Sequence, residues 1–398
     1  MNNYAYDKEK LSSKTVLLRT DFNVEIKYNS VVSDFRLRRT IPTIKDLQNA
    51  GAKIILISHI DDKEGGSLEP VARNLVKDFP KLFFIEDIFS EDAKDKVSKM
   101  RNGDVILFEN LRKWPGEKAN DEAFAKHLAS FADVFVNEAF SVSHREHSSI
   151  VGVPKLLPSF IGPAFREELK HLSAIENPKR PFFVILGGAK FETKLPLLKK
   201  FLEVADSVAV GGAIANDFFK VKGYFLGDSL VSEKIPSDLS HLLQNPKLLL
   251  PVDVYTSHKG ERFLKNPKDV GIGEKIMDVG DKTIKIWKAK VAESNCILWN
   301  GPLGKAELGF GAGTEAFAKT IANSGAVSIV GGGDVVAAIE KLNIMKKFTF
   351  VSSGGGAMLE FLSSGTLVGL EAVKGASHRV SYSKSAKKEF FSRLGKWF

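Results

Sequence analysis

Short apolar, β-branched runs alternate along this chain with longer amphipathic stretches, and no other feature limits its possible folds as strongly. TVLLR (15–19), AKIILIS (52–58), DVILFEN (104–110) and ADVFVN (132–137) mark the first half. PFFVIL (181–186), SVAV (207–210), LLLPVDVY (248–255), CILWN (296–300), VSIV (327–330) and FTFVS (348–352) mark the second. Between them lie stretches such as RRTIPTIKDLQNAG (38–51) and NDEAFAKHLASF (120–131), whose apolar residues recur at helical spacing. Strand–helix–strand repetition of this kind builds parallel sheets. The pattern predicts an α/β protein, and 398 residues suffice for about two domains with full cores. No low-complexity linker and no close internal repeat interrupts it.

Ligands of open parallel sheets bind beyond the carboxyl ends of the strands. In the first half those ends carry Asp21 and Asn23, His59, Arg112, and then His144, Arg145 and His147 in SVSHREH. In the second half they carry Gly187–Gly188, Gly211–Gly212, Gly301, Gly331–Gly333 and Gly354–Gly356. Arginine and histidine suit a small polyanion. Glycine lets backbone amides and helix N-termini approach phosphates. Taken singly, a Gly-Gly pair is a tight turn, a lone His a structural hydrogen-bonder and a terminal Arg a surface charge. The shared bias across each half favours one anionic metabolite site and one nucleotide site. Within ILGGAKFETKL (185–195), Lys190 and Lys194 are spaced to share a helix face near its N-terminus, where the dipole disfavours cations, so an anion is expected there.

Several classes are excluded. There is no G-x-x-x-x-G-K-[ST] loop and no G-x-G-x-x-G after a strand, so neither a P-loop protein nor a dinucleotide-dependent oxidoreductase is supported. No Cys/His cluster has zinc spacing, and His144 and His147 lack a third ligand. The single cysteine, Cys296, lies within the apolar run CILW and reads as a buried, inert thiol; with no disulfide framework the chain suits a reducing cytosol. The N-terminus lacks the build of a signal peptide, and no apolar run approaches the ~20 residues that span a bilayer. Seven Lys/Arg and one acid fall in 374–398, so the tail carries six of the nine net positive charges. The body is not a basic nucleic-acid binder.

A set of ordered motifs resembles the phosphoglycerate kinase family from about Leu11 to Val373: RTDFNV (19–24), PTIKDL (42–47), ISH (57–59), FENLR (108–112), VNEAF (136–140), HREHSSIVG (144–152), GGAKFETK (187–194), WNGPLG (299–304), GGGD (331–334) and SGGGA (353–357). The resemblance implies two Rossmann-like, doubly wound parallel-sheet lobes joined by a hinge. It places the N-lobe at 1–158, the hinge and connecting helix at 159–176, the C-lobe at 177–362, and a segment returning to the N-lobe at 363–398. The hinge is expected around LPSFIGPAFREEL (157–169), with a second crossing near 361–369. It implies phosphoryl transfer between 1,3-bisphosphoglycerate and Mg-ADP, giving 3-phosphoglycerate and ATP in a cytoplasmic monomer. Carried over by position, Asp21, Asn23, Arg36, His59, Arg112 and Arg145 match the phosphoglycerate site. Arg36 reaches the moving phosphoryl group, Lys190 and Lys194 hold the nucleotide phosphates and that group, and Glu307 binds the ribose. Gly332, Gly333, Asp334 and Val335 match the phosphate loop, with Asp334 the carboxylate for the Mg²⁺ that accompanies ADP or ATP.

The chain departs from the family in places. SHIDDK replaces SHLGRP, so Asp62 stands where the family has an arginine and is expected to weaken anion binding. Val335 removes a hydroxyl from the phosphate loop, Ile276 in KIMDVG replaces a glycine beside the expected adenine pocket, Ala213 replaces the third glycine of another loop, and Gly304-Lys305-Ala306-Glu307 replaces Gly-Val-Phe-Glu. These changes leave a second reading, a catalytically weak paralogue with a binding role. The tail adds Phe390, Phe391, Leu394, Trp397 and Phe398 interleaved with Lys387, Lys388, Arg393 and Lys396, the pattern of a basic amphipathic helix. It is expected to dock on the N-lobe; peripheral contact with an anionic membrane surface is the second reading.

Overall fold

The computed structural model describes residues 4–61, 66–236 and 238–376. Asp62 and the aromatic tail beyond residue 376 therefore lie outside the described residues. The chain divides into two compact units, one that ends at Lys170 and resumes at Thr366, the other His171–Gly365. No helix among the described residues is long and apolar enough to cross a membrane.

The first unit is built on a six-stranded sheet. Its order is Phe83–Ile85, Val105–Phe108, Lys53–Ile57, Thr15–Arg19, Val134–Asn137, Ser159–Ile161, and every neighbouring pair is parallel. Successive residues of a strand face opposite sides, and both sides are buried here. Val16 and Leu18 join one core with Ile54, Leu56 and Val136, whereas Leu17 joins the other with Ile55, Phe108 and Phe135. That two-sided burial explains why the strands read as continuous apolar runs. The chain leaves Thr15–Arg19 in one direction to Lys53–Ile57 and later returns to its other side at Val134–Asn137. The strand order reverses at that point, so a crevice opens beyond Arg19. Residues 368–376 form a helix whose Val368 and Ala372 pack on Ala139, Val142, Ile150 and Val151 of the same unit.

The second unit repeats the plan. Leu248–Leu249, Ser207–Val210, Phe182–Leu186, Cys296–Asn300, Val327–Gly331 and Phe350–Val351 lie in that order, all parallel, and the order reverses between Phe182–Leu186 and Cys296–Asn300. One feature was not expected from sequence. LLLPVDVY is not a single strand: Leu248–Leu249 joins the parallel sheet, and Val254–His258 pairs antiparallel with Glu261–Lys265 and Lys275–Val279. Pro251, which has no N–H to give a ladder, separates the two. Cys296 is buried, and burial pushes its thiol up to about 11, consistent with an inert side chain.

Candidate functional site

At the reversal point of the first sheet, basic side chains converge from four strand ends. Arg36, in the first turn of the helix Phe35–Asn49, pairs with Asp21, whose Oδ2 also accepts the Ser141 hydroxyl at 2.6 Å. Arg112 lies in the short turn Leu111–Lys113, and its N–H donates to Asn110 Oδ1 at 3.1 Å. Its side chain is only 4% exposed, and Nη1 pairs with Asp61. Arg112 Nε and Nη2 are buried without a hydrogen-bond partner. His59 is fully buried; its Nδ1 lies 3.2 Å from Arg19 Nη2. Burial, and then the charges of Arg19, Arg112, Arg36 and His147, hold its pKa well below the ordinary value. The ring is therefore neutral. Because the arginine can only donate to Nδ1, the proton sits on Nε2, a third buried donor without a partner. Unsatisfied buried donors beside two arginines are what an anion would satisfy. Asn23 Oδ1 accepts the Asp61 N–H at 2.9 Å, and Arg145 is exposed to solvent.

Behind these groups stands a buried network that sequence reasoning did not single out. Arg19 is fully buried; its Nε donates to Ser149 Oγ at 2.8 Å and its Nη1 to the Thr20 carbonyl at 2.6 Å. Glu117, also buried, accepts the Ser149 hydroxyl at 2.6 Å and the Ser149 N–H at 2.9 Å, and lies 3.9 Å from Arg19 Nη2. Burial lowers the Arg19 guanidinium to about 10, still charged at neutral pH. The only sequence signal was a charged residue ending an otherwise apolar strand, within the motif RTDFNV.

Burial, then neighbouring arginines, brings His144 and His147 from 6.5 to about 4. Their unfolded forms take up protons first as pH falls, so the fold loses stability through the window from about 6.5 to about 4. The thermal midpoint is expected to drop between pH 7 and pH 4.5, with a shallower slope in the His144→Gln/His147→Gln double variant. An identical slope in that variant would remove these rings from the account.

In the second unit the reversal point is lined by glycine. Lys194 is 7% exposed, and its Nζ donates to the Gly187 carbonyl. Gly188 and Gly301 flank that ammonium with φ of +91° and +88°, a backbone conformation that favours glycine, and a Cβ at Gly301 would also clash with the Gly187 carbonyl. Burial pushes the Lys194 pKa down to about 8, with Asp334 opposing the shift. The lysine pair is not arranged as its spacing predicted. The helix is Phe191–Val204, Lys190 occupies its N-cap position and is exposed, and Lys194 alone is drawn inward.

A cavity of about 380 Å³ opens beside these loops, lined by Gly188, Gly212, Glu307 and Asp334 and, on its apolar side, by Phe219 and Ile276 among others. This volume is in the range of small-ligand pockets. Gly332 caps the helix Gly333–Lys341, which carries Asp334 in its first turn. The structure thus brings Glu307, Asp334 and Ile276 to one cavity. Val335 differs: its side chain is fully buried in the core with Phe317 and Ile339, so only its backbone faces the loop. Among the described residues no three His, Cys, Asp or Glu side chains form a metal cluster. One carboxylate nevertheless fits Mg²⁺, which is usually held by one or two carboxylates plus substrate phosphates.

Two parallel α/β units, one with an arginine-lined crevice of partnerless buried donors and one with a lysine cradled by glycines beside a pocket, define a phosphotransferase. Residues 6–365 match the family described as "Phosphoglycerate kinase". The chain belongs to the phosphoglycerate kinase family. It is 40% identical over 384 residues to the phosphoglycerate kinase of Dictyoglomus turgidum, covering 92% of this chain and 97% of that one. The phosphoglycerate kinase of Clostridium kluyveri is also 40% identical, with 91% and 96% covered. Among solved structures, phosphoglycerate kinase from Pyrococcus horikoshii OT3 superposes with a TM-score of 0.82 at 32% identity, covering 93% of this chain and 98% of the other. That from Coxiella burnetii gives 0.76 at 35% identity, covering 92% and 97%.

Proposed function

We propose that the chain transfers a phosphoryl group reversibly between 1,3-bisphosphoglycerate and Mg-ADP, giving 3-phosphoglycerate and ATP. The observation that carries this reading is a pair of sites with complementary chemistry. One has partnerless buried donors on Arg112 and His59; the other has a desolvated ammonium at Lys194 beside a nucleotide-sized cavity.

Arg36, His59, Arg112, Arg145, Asp21 and Asn23 bind the phosphoglycerate in this scheme. Lys194 and Lys190 meet the phosphates, Glu307 takes the ribose, and the backbone of Gly332, Gly333 and Val335 approaches the phosphate chain. Asp334 would hold the Mg²⁺, which when bound neutralises phosphate charge. In the direction of ATP use the acceptor is a carboxylate, ionised at neutral pH, so no general base is needed. The neutral state of His59, His144 and His147 agrees with that, leaving positioning and charge compensation as the work of the protein. Lys194, down to about 8, remains mostly protonated at pH 7, and a phosphate beside it would hold the proton more firmly.

Transfer without water requires both ligands to be enclosed together, which calls for a hinge at 157–169 and 361–369 in this scheme. The enzyme in this scheme is a cytoplasmic monomer without nucleic-acid or membrane-spanning partners. A coupled assay with 3-phosphoglycerate and Mg-ATP tests it directly. Turnover is expected; tight 3-phosphoglycerate binding without turnover would mean the weak paralogue instead, a reading that 40% identity to kinases over 92% of the chain disfavours.

Asp278 supports the nucleotide side. Its carboxylate accepts the Val279 N–H and the Gly313 N–H, both at 2.9 Å, and burial pushes its pKa up to about 6. Its bond to the Gly313 N–H fastens one end of the loop bearing Glu307, and at the other end it packs so closely on Gly304 that a Cβ there would clash with it. Asp278→Asn places an NH₂ against one of those N–H groups. It is expected to raise KM for the nucleotide several-fold more than KM for 3-phosphoglycerate. Equal rises in both would assign Asp278 to general stability alone.

A further inference from the structure

We propose that Asp61 sets the affinity of the arginine-lined site, holding Arg112 as an internal counter-ion that the substrate anion must displace. The inference rests on the phosphoglycerate reading of that site and adds a residue which opposes binding there.

The carboxylate is placed by its backbone. The Asp61 N–H donates to Asn23 Oδ1 at 2.9 Å. The preceding Ile60 is held at both ends by Asn110, its N–H donating to Oδ1 at 3.2 Å and its carbonyl accepting from Nδ2 at 3.1 Å. Three backbone bonds thus fix the turn after the strand Lys53–Ile57 and set the Asp61 side chain on Arg112 Nη1. Burial acts against the charge, yet the hydrogen bond and charge of Arg112 hold the Asp61 carboxyl below its ordinary range.

Three of the arginines at this crevice are balanced differently, while Arg145 is exposed to solvent. Arg19 has all three guanidinium nitrogens engaged, with Glu117 behind it. Arg36 faces Asp21, a carboxylate 9% exposed and anchored by Ser141. Arg112 is 4% exposed, but its carboxylate partner is 53% exposed. Arg112 also keeps Nε and Nη2 without partners. Asp61 is therefore the counter-ion with an open path into solvent, attached to the arginine with donors to spare. An anion that takes Arg112 in the bidentate manner brings its own charge against the Asp61 carboxylate, and the two repel until Asp61 swings out. Part of the binding free energy is spent on that exchange. Asn23, expected to touch the same ligand, holds the Asp61 backbone N–H, so the turn stays in place while the side chain moves.

The test uses the full-length chain and Asp61→Asn, which keeps the size and the backbone bond to Asn23 while removing the charge. Calorimetry with 3-phosphoglycerate alone, and kinetics in 3-phosphoglycerate and Mg-ATP, are read against wild type. Kd and KM for 3-phosphoglycerate are expected to fall ~3–10-fold, with no loss of kcat and no change in KM for Mg-ATP. The gap should narrow at about 0.5 M salt, where charges on partly exposed groups are screened. An unchanged or weaker Kd overturns the proposal, the weaker case meaning that Asp61 orients Arg112 rather than competing for it. Asp61→Gly provides a second variant should the first fold poorly. Arg112→Gln separates the role of the site from that of Asp61. If it leaves 3-phosphoglycerate binding intact, the reading of the site fails and this inference with it; if it weakens binding while Asp61→Asn does not tighten it, the inference alone fails.

Discussion

Alanine at Lys194, or at Arg36, is expected to lower kcat by about 10²–10³, the loss typical when one preorganised charge is removed from a developing anionic transition state, about 2.7–4 kcal/mol. The two residues reach the transferred group from different units in the proposed scheme, so neither replaces the other. The stability of the two variants distinguishes them. Lys194 is a desolvated ammonium whose folded pKa lies below its ordinary 10.5, so its charge works against the fold at neutral pH. Its removal should not lower the thermal midpoint. Arg36 is part-exposed and pairs with Asp21, which keeps the Ser141 hydroxyl as a partner when the arginine is gone. Its removal should cost little stability. Each is thus expected to give a folded protein with little turnover. A variant that keeps more than about half of the wild-type kcat has lost too little to have carried the role, since even a tenfold effect is only ~1.4 kcal/mol.

The parallel sheets were legible because their strands are buried on both faces and cannot hide as alternating patterns. The strand-end rule then led to Asp21, His59 and Arg112 on one sheet and to the glycine loops on the other, before any contact was known. What escaped reading follows a common rule. The strand Glu261–Lys265 reads ERFLK, a partly exposed, charged segment with no apolar run to mark it. Spacing put Lys190 and Lys194 on one helix face, but the helix begins only at Phe191, so the first lysine is a cap and the second a buried cradle residue. The phosphate loop supplied Val335 by position, yet position says nothing of direction, and its side chain turns into the core. In SHIDDK the sequence drew attention to Asp62, whereas the described residues show Asp61 on Arg112. The Arg19 network escaped for a plainer reason. Arg19 meets Ser149 across 130 residues and Ser149 meets Glu117 across 32, distances at which no local pattern leaves a trace.

That network carries the other large expected effect. Glu117→Ala removes the carboxylate facing a fully buried guanidinium and strands the Ser149 N–H. Breaking one side of such a buried arrangement typically costs about 3–5 kcal/mol, because the remaining charge has no water to turn to. The thermal midpoint should fall accordingly. Arg19→Met/Glu117→Leu removes both charges and fills the space with apolar groups, and buried pairs replaced in that way are often near neutral. The double variant is therefore expected to recover much of the stability lost by Glu117→Ala. It should not recover function. Arg19 is what keeps the proton of His59 on Nε2, and without it the ring is free to choose the other tautomer. Ser149 and the turn around His147 also lose their anchor. A stable double variant with a raised KM for 3-phosphoglycerate would show that the pair is kept for the geometry of the site. A Glu117→Ala protein as stable as wild type would show that the pair does not hold the fold, and a double variant with unaltered KM would show that it does not position the site.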